Sequence, residues 1–97
     1  MHIGSARLTL RLPGNDSLKG KRHVAKSLVT RLRQRYNLSI SEVDTQDAWQ
    51  TLVLGVACVG INGGKADSTL DRVIAFIEAS RLDVELIDVQ REVAEGP

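Results

Sequence analysis

From His2 to Leu12 the chain alternates, with Leu8, Leu10 and Leu12 set against Arg7, Thr9 and Arg11. That period of two predicts a strand with one face in a core. Pro13-Gly14-Asn15-Asp16 has turn chemistry. The spacing then changes: over Ser17 to Tyr36, placing residues at about 100° intervals gathers Leu18, Ala25, Leu28, Val29, Leu32 and Tyr36 into one apolar sector, with Val24 at its edge. This predicts a helix, with Ser17 or Asp16 as N-cap and Asn37 as C-cap. Leu38 to Thr45 reads as a second strand, in which Glu42 and Asp44 fall in the inward register of Leu38 and Ile40. Either that strand bulges near Ser41, or Glu42 sits at the margin of the core beside a cation. After a turn at Thr45-Gln46-Asp47-Ala48, Trp49 to Ile61 is nearly unbroken apolar sequence, as expected of a central strand covered on both sides. Asn62-Gly63-Gly64 reads as a loop. A second helix is expected from Asp67 or Ser68, with Leu70, Val73, Ile74, Ile77 and Leu82 at three-and-four spacing. Val84 to Val93 completes the pattern as a last strand.

The order βαββαβ predicts an α+β, ferredoxin-like sandwich. Right-handed crossovers give a four-stranded antiparallel sheet in the order 4-1-3-2, with two helices on one face. One domain is expected over residues 1–93, with 94–97 as a frayed C-terminal tail. If Leu8, Leu10 and Leu12 meet the helices, then Arg7, Thr9 and Arg11 lie on the open sheet face, where Trp49, Val53, Gly55, Ala57 and Val59 could join them. Such a face suits a dimer contact, or could be shielded by the C-terminal tail.

Charge alters this picture. Residues 1–37 hold nine Lys/Arg and one acidic residue, against four and eleven in residues 38–97, so a net charge of +1 conceals a polar chain. The first helix carries seven Lys/Arg and no acid. Lys19, Arg22, Lys26 and Arg33 fall within about 60° of one another beside the apolar sector, and Arg31 and Arg35 flank its other side. Two features weaken this helix: Gly20, at about 1 kcal/mol relative to Ala, and cations in a first turn whose dipole favours anions. The two halves of the chain could simply neutralise each other. Glu85, Asp88 and Glu92 of the last strand would do so if they covered the cationic ridge. No apolar run approaches the roughly 18 residues of a membrane span, and the lone cysteine, Cys58, has no internal disulfide partner. No membrane association and a cytoplasmic location are therefore expected.

LPGNDSLKGKR, RLRQRYNLSISEVD and DAWQTLVLGVACVG resemble the YlxP-like family of small bacterial proteins of uncharacterised function. The similarity extends over nearly the whole chain. Its most specific pieces are Ser17-Leu18-Lys19 with Lys21-Arg22, the Arg31/Arg33/Arg35 series before Tyr36-Asn37, Glu42-Val43, and Trp49 before Leu54-Gly55-Val56. Gly20 departs from the pattern, which has an acidic residue there. The resemblance implies a ferredoxin-like fold. Genes of such proteins often neighbour those of a translation initiation factor and a ribosome-binding factor, which implies a role in translation or ribosome maturation.

No motif fixes a reaction, and no catalytic residue, cofactor or metal is expected. His2 and His23 lie on different elements without Cys or acidic neighbours at ligand spacing. Cys58 in the most apolar strand reads as a buried thiol, and Glu42, Asp44 and Asp47 as hairpin charges more readily than as bases. Asn62-Gly63-Gly64-Lys65 lacks the spacing of a phosphate loop. Trp49 either plugs the sheet or a dimer contact, or stacks on a base. The leading expectation is a non-catalytic protein that binds the phosphate backbone of structured RNA or of the small ribosomal subunit. Its contacts would be Lys19, Lys21, Arg22, Lys26, Arg31, Arg33 and Arg35, with Arg7, Arg11 and Trp49 as open-face contacts. Only Tyr36, Trp49 and Phe76 are aromatic, which argues against base stacking on the sheet. The alternative is a dimeric protein-interaction or regulatory module that does not bind nucleic acid.

Overall fold

Leu8, Leu10 and Leu12 are fully buried while Arg7 and Arg11 are exposed, so the two-residue period sorts the first strand onto two faces. A computed structural model describes residues 1–44, 48–80 and 83–97. Its elements are β1 (His2–Arg11), α1 (Leu18–Arg35), β2 (Ser39–Asp44), β3 (Thr51–Gly60), α2 (Gly63–Ser80) and β4 (Glu85–Glu95). The strands form one antiparallel sheet in the order β2-β3-β1-β4, which is 4-1-3-2 read from the other edge, with both helices on one face. This is the ferredoxin-like α+β sandwich. In the β1–β3 register Leu10 faces Leu52, Leu8 faces Leu54 and Ala6 faces Val56. Directly opposed residues share a sheet face, and this one packs on Leu28 and Leu32 of α1 and on Leu70, Val73 and Ile77 of α2. Burying one such Leu contributes about 1.5–3 kcal/mol, which anchors α1 along its length despite its cations.

Several local features differ from the sequence pattern, each for a physical reason. α2 begins at Gly63, four residues before Asp67: Asn62 Oδ1 accepts from the Lys65 amide at 2.9 Å and the Asn62 carbonyl from the Ala66 amide at 3.2 Å, so an asparagine cap outweighs two poor helix formers. The turn is also pressed onto β3, since a Cβ on Gly60 would stand 2.6 Å from the Ala66 nitrogen. α1 is capped by Ser17, whose Oγ accepts from the Gly20 amide at 3.0 Å. It ends at Tyr36 in an extended conformation, whose amide still bonds the Leu32 carbonyl, instead of at a left-handed Asn37. In β2 the second reading of the acidic register holds: Ser41 and Glu42 stay in register, Glu42 lies 3.9 Å from the Lys21 ammonium, and the register shift falls after Glu42, before Asp44, instead of near Ser41. Trp49 stands in the turn before β3. Ala94 and Glu95 continue β4 opposite Ile3 and His2, and the Gly96 amide donates to the Met1 carbonyl at 2.7 Å, so this stretch is paired where fraying was expected. Leu82 and the Thr45-Gln46-Asp47 part of the expected turn lie outside the described residues.

Candidate nucleic-acid interface

Apart from Leu18, which stands exposed at the first turn, the apolar sector of α1 packs against the sheet, which turns Lys19, Arg22, His23, Lys26, Thr30, Arg31, Arg33, Gln34 and Arg35 outward, all exposed. Among the described residues Lys19, Arg22, Lys26 and Arg31 make no ion pair. Arg33 is partly committed, donating to the Ile40 carbonyl at 2.9 Å. Arg35 lies over the Phe76 ring, 5.3 Å from its centre, and that ring meets Tyr36 edge to face at 6.3 Å. Both aromatics near the ridge are therefore occupied by packing.

Lys21 stands apart from the cations it was grouped with. It is 4% exposed, and its Nζ donates to the Ala48 carbonyl at 3.2 Å while facing Glu42. An ammonium held inside cannot reach a phosphate, and it serves instead to tie α1 to the β2–β3 hairpin. The turn before the helix adds a second tie, with Asn15 Nδ2 donating to the carbonyls of Ser17 and Trp49. Asn15 Oδ1 occupies the space beside Gly20, where a Cβ would come within 2.2 Å of it. The glycine that weakens the helix thus leaves room for the Asn15 side chain of the capping turn.

Register places the three acids of β4 that could have covered the ridge. Glu85 pairs with Arg11, Asp88 with Thr9 and Glu92 with Ser5. Arg11 and Thr9 flank the inward Leu10, so these acids lie on the open sheet face, away from α1. Asp67 and Asp71 of α2 are drawn to the β4 edge by Arg91, which bonds both carboxylates and is held above its ordinary value by them, against the opposing effect of its own burial. Among the described residues no ion pair joins Lys19, Arg22, Lys26 or Arg31 to these acids.

The open face holds the other expected contacts in a different electrostatic setting. Arg7 pairs with Asp44 at 3.1 Å, and Arg11 lies across from Glu85. Beside Arg7, on the side away from Arg11, runs a shallow trough lined by Ser5, Gly55, Ala57, Val43, Gln90 and Glu92. Trp49 is half-exposed, with its carbonyl engaged by Asn15. Among the described residues no group of three or more His, Cys, Asp or Glu is placed to hold a metal. Cys58 is buried behind β3 with its Sγ 3.5 Å from the Ala66 carbonyl, and burial pushes its thiol up, partly offset by a hydrogen bond from the Gly4 backbone. Of the three hairpin carboxylates, Glu42 faces Lys21 and Asp44 faces Arg7, while Asp47 lies outside the described residues.

One set of exposed groups was not singled out by the sequence pattern. His23, Ser27, Thr30 and Gln34 fall within about 60° of one another on the helix, and a shallow depression at their centre is lined by His23, Lys26, Ser27, Thr30 and Arg31. These side chains carry hydrogen-bonding groups, and nothing in their spacing matches a known motif.

Residues 3–91 match the family described as a protein of unknown function, DUF503. The uncharacterized protein YlxP of Bacillus subtilis (strain 168) is 39% identical over 77 residues, which cover 79% of this chain and 84% of YlxP.

Proposed function

Since the chain belongs to the DUF503 family and is a homologue of YlxP, we propose that it is a non-catalytic cytoplasmic protein that binds structured RNA, such as that of the small ribosomal subunit, through the outer face of α1. The observation that carries this is the row of exposed cations Lys19, Arg22, Lys26 and Arg31, which make no ion pair among the described residues, with the acids of β4 turned to the opposite sheet face. A polyanion gains from such a row by releasing its condensed counterions, and a net charge near zero does not cancel a local field. The ridge from Lys19 to Arg33 runs about 21 Å at 1.5 Å per residue, long enough to follow several phosphates of one strand. With Tyr36 and Phe76 packed together, contacts are to backbone and shape, and sequence preference is weak.

The test is binding to small ribosomal subunits and to their free RNA across a salt series, beside Lys19→Glu/Arg22→Glu/Lys26→Glu. Each phosphate contact contributes about −0.7 to −0.9 to the log-log slope. The variant, folded by circular dichroism, should therefore lose about 2–3 of that slope together with most of its affinity. Equal, weak binding by both proteins would reject the proposal. A second reading rests on the trough of the open face, beside which Val43 and Val59 are 51% and 64% exposed. Under it the chain dimerises there, and sedimentation analysis would report a dimer that Val59→Lys dissociates.

A further inference from the structure

The outer face of α1 carries more than a row of cations, and its cross-section says what shape of RNA it fits. Around the helix, at 100° per residue, Lys19, Arg22, Lys26 and Arg33 form one flank, His23, Ser27, Thr30 and Gln34 form the next sector, and Arg31 with Arg35 form the far flank. All are exposed except Ser27, which is half-buried at the floor of the depression between Lys26 and Arg31. A hydrogen-bonding stripe is thus bordered on both sides by positive charge. A single phosphate chain needs only one such flank. Two flanks separated by the width of a helix, about 10–12 Å with side chains, match two phosphate backbones with a groove between them.

The geometry points to a double-stranded RNA helix as the ligand, with α1 lying along its minor groove; this rests on the RNA-binding function proposed above. In this arrangement Lys19, Arg22 and Lys26 contact one backbone and Arg31 the other, while Ser27, Thr30, Gln34 and His23 hydrogen-bond the 2′-hydroxyls and base edges between them. Depth selects the groove. α1 is packed on the sheet along its length through Ala25, Leu28 and Leu32, so only half its diameter, about 5–6 Å, stands clear. That falls short of the roughly 8.5 Å depth of the major groove of DNA. It suits the wide, shallow minor groove of A-form RNA, whose deep major groove excludes protein side chains. The short side chains of Ser27 and Thr30 at the centre of the stripe let the helix backbone approach that shallow floor. The 2′-hydroxyl both donates and accepts, as do the hydroxyls and amide of the stripe.

The experiment compares the full chain, by fluorescence anisotropy over a salt series, on an RNA duplex of about 20 base pairs, longer than the roughly 16 a double-stranded-RNA module covers. The controls are the same sequence as single-stranded RNA and as a DNA duplex. Wild type should bind the RNA duplex at least about tenfold more tightly than either control. Arg31→Ala should make the salt slope on the RNA duplex shallower by about 1 and leave the slope on single-stranded RNA unchanged, because only a duplex offers the second backbone. Ser27→Ala/Thr30→Val should weaken duplex RNA binding about tenfold, the loss of roughly two hydrogen bonds, without altering its slope. Equal affinity for single- and double-stranded RNA, or the same slope change on both with Arg31→Ala, would overturn the groove assignment while leaving RNA binding intact. Tighter binding to the DNA duplex would overturn the choice of groove and ligand. Absence of binding to every probe would reject the RNA function itself.

Discussion

Replacing Gly20 by alanine sets two effects of similar size against each other, and the structure decides between them. In a helix interior Ala is favoured over Gly by about 1 kcal/mol, so helix propensity alone makes the change stabilising. The new Cβ, however, would stand 2.2 Å from Asn15 Oδ1 and 3.3 Å from Asn15 Cγ. Asn15 must then swing away, giving up the bonds of its Nδ2 to the Ser17 and Trp49 carbonyls. At about 0.5–1.5 kcal/mol for each hydrogen bond, that loss is about 1–3 kcal/mol, so Gly20→Ala should be neutral to destabilising by about 2 kcal/mol. The sign reverses once Asn15 is removed: in an Asn15→Ala background the same substitution should stabilise by about 1 kcal/mol. Urea unfolding of the four proteins of this cycle measures the coupling directly, and about 1–3 kcal/mol is expected. If Gly20→Ala has the same effect in both backgrounds, Asn15 does not occupy that space and the account of Gly20 fails.

Other substitutions probe the remaining contacts. Lys21→Ala removes a buried stem and its bonds to the hairpin and should cost about 2–3 kcal/mol, whereas Lys19→Ala, two residues away and exposed, should change stability by no more than about 0.5 kcal/mol; equal effects in chemical denaturation would contradict the burial of Lys21. Gly60→Ala meets the backbone of Ala66 and Asn62, which no rotamer change can relieve, and should destabilise by about 1–3 kcal/mol or more; an unchanged melting temperature would count against that packing. Burial raises the Cys58 thiol, so the unfolded chain loses its proton first as pH rises. The stabilisation from keeping this thiol protonated is then complete below about pH 8.5 and fades as pH climbs through the raised native value. Thiol-modification kinetics at pH 8 should accordingly be at least about tenfold slower in the folded protein than in urea.

The elements were legible in the sequence wherever one period ran unbroken. The alternation of Leu8, Leu10 and Leu12 assigned the faces of β1, and the α1 sector named Val24, Ala25, Leu28 and Leu32, which reach the core, together with Leu18, which does not. The features it concealed depend on caps and cross-element contacts that no single period displays. The α2 start was obscured by Gly63 and Gly64, whose low propensity is overridden by the Asn62 cap and by contact of the first turn with Gly60. The bulge in β2 was suggested by Glu42 and Asp44 falling inward, but only pairing with β3 places it after Glu42. Lys21 is the instructive case within the candidate site: on the helical wheel it falls between Leu28 and Leu32, at the centre of the apolar sector. Spacing alone pointed inward, and its charge argued for the surface. The structure satisfies both by burying the stem and offering the ammonium a carbonyl and a carboxylate. The stripe of His23, Ser27, Thr30 and Gln34 went unnoticed because polar residues on an exposed helix carry no signal until the cations flanking them are placed.

The position of β1 has a consequence for how the chain reaches this fold. It is the first strand in sequence yet lies inside the sheet, pairing with β3 on one edge and with β4 on the other, from Arg11 opposite Glu85 to His2 opposite Glu95. The β2–β3 hairpin can form from neighbouring residues, but the β1–β4 ladder closes a loop of nearly the whole chain. Such non-local pairing slows folding because the entropy of closure comes before the contacts that reward it. During synthesis one edge of β1, with the apolar side chains behind it, stays open until the last strand emerges. A nascent chain with an uncovered edge is exposed to pairing with another copy, and truncation within β4 would make that transient state permanent.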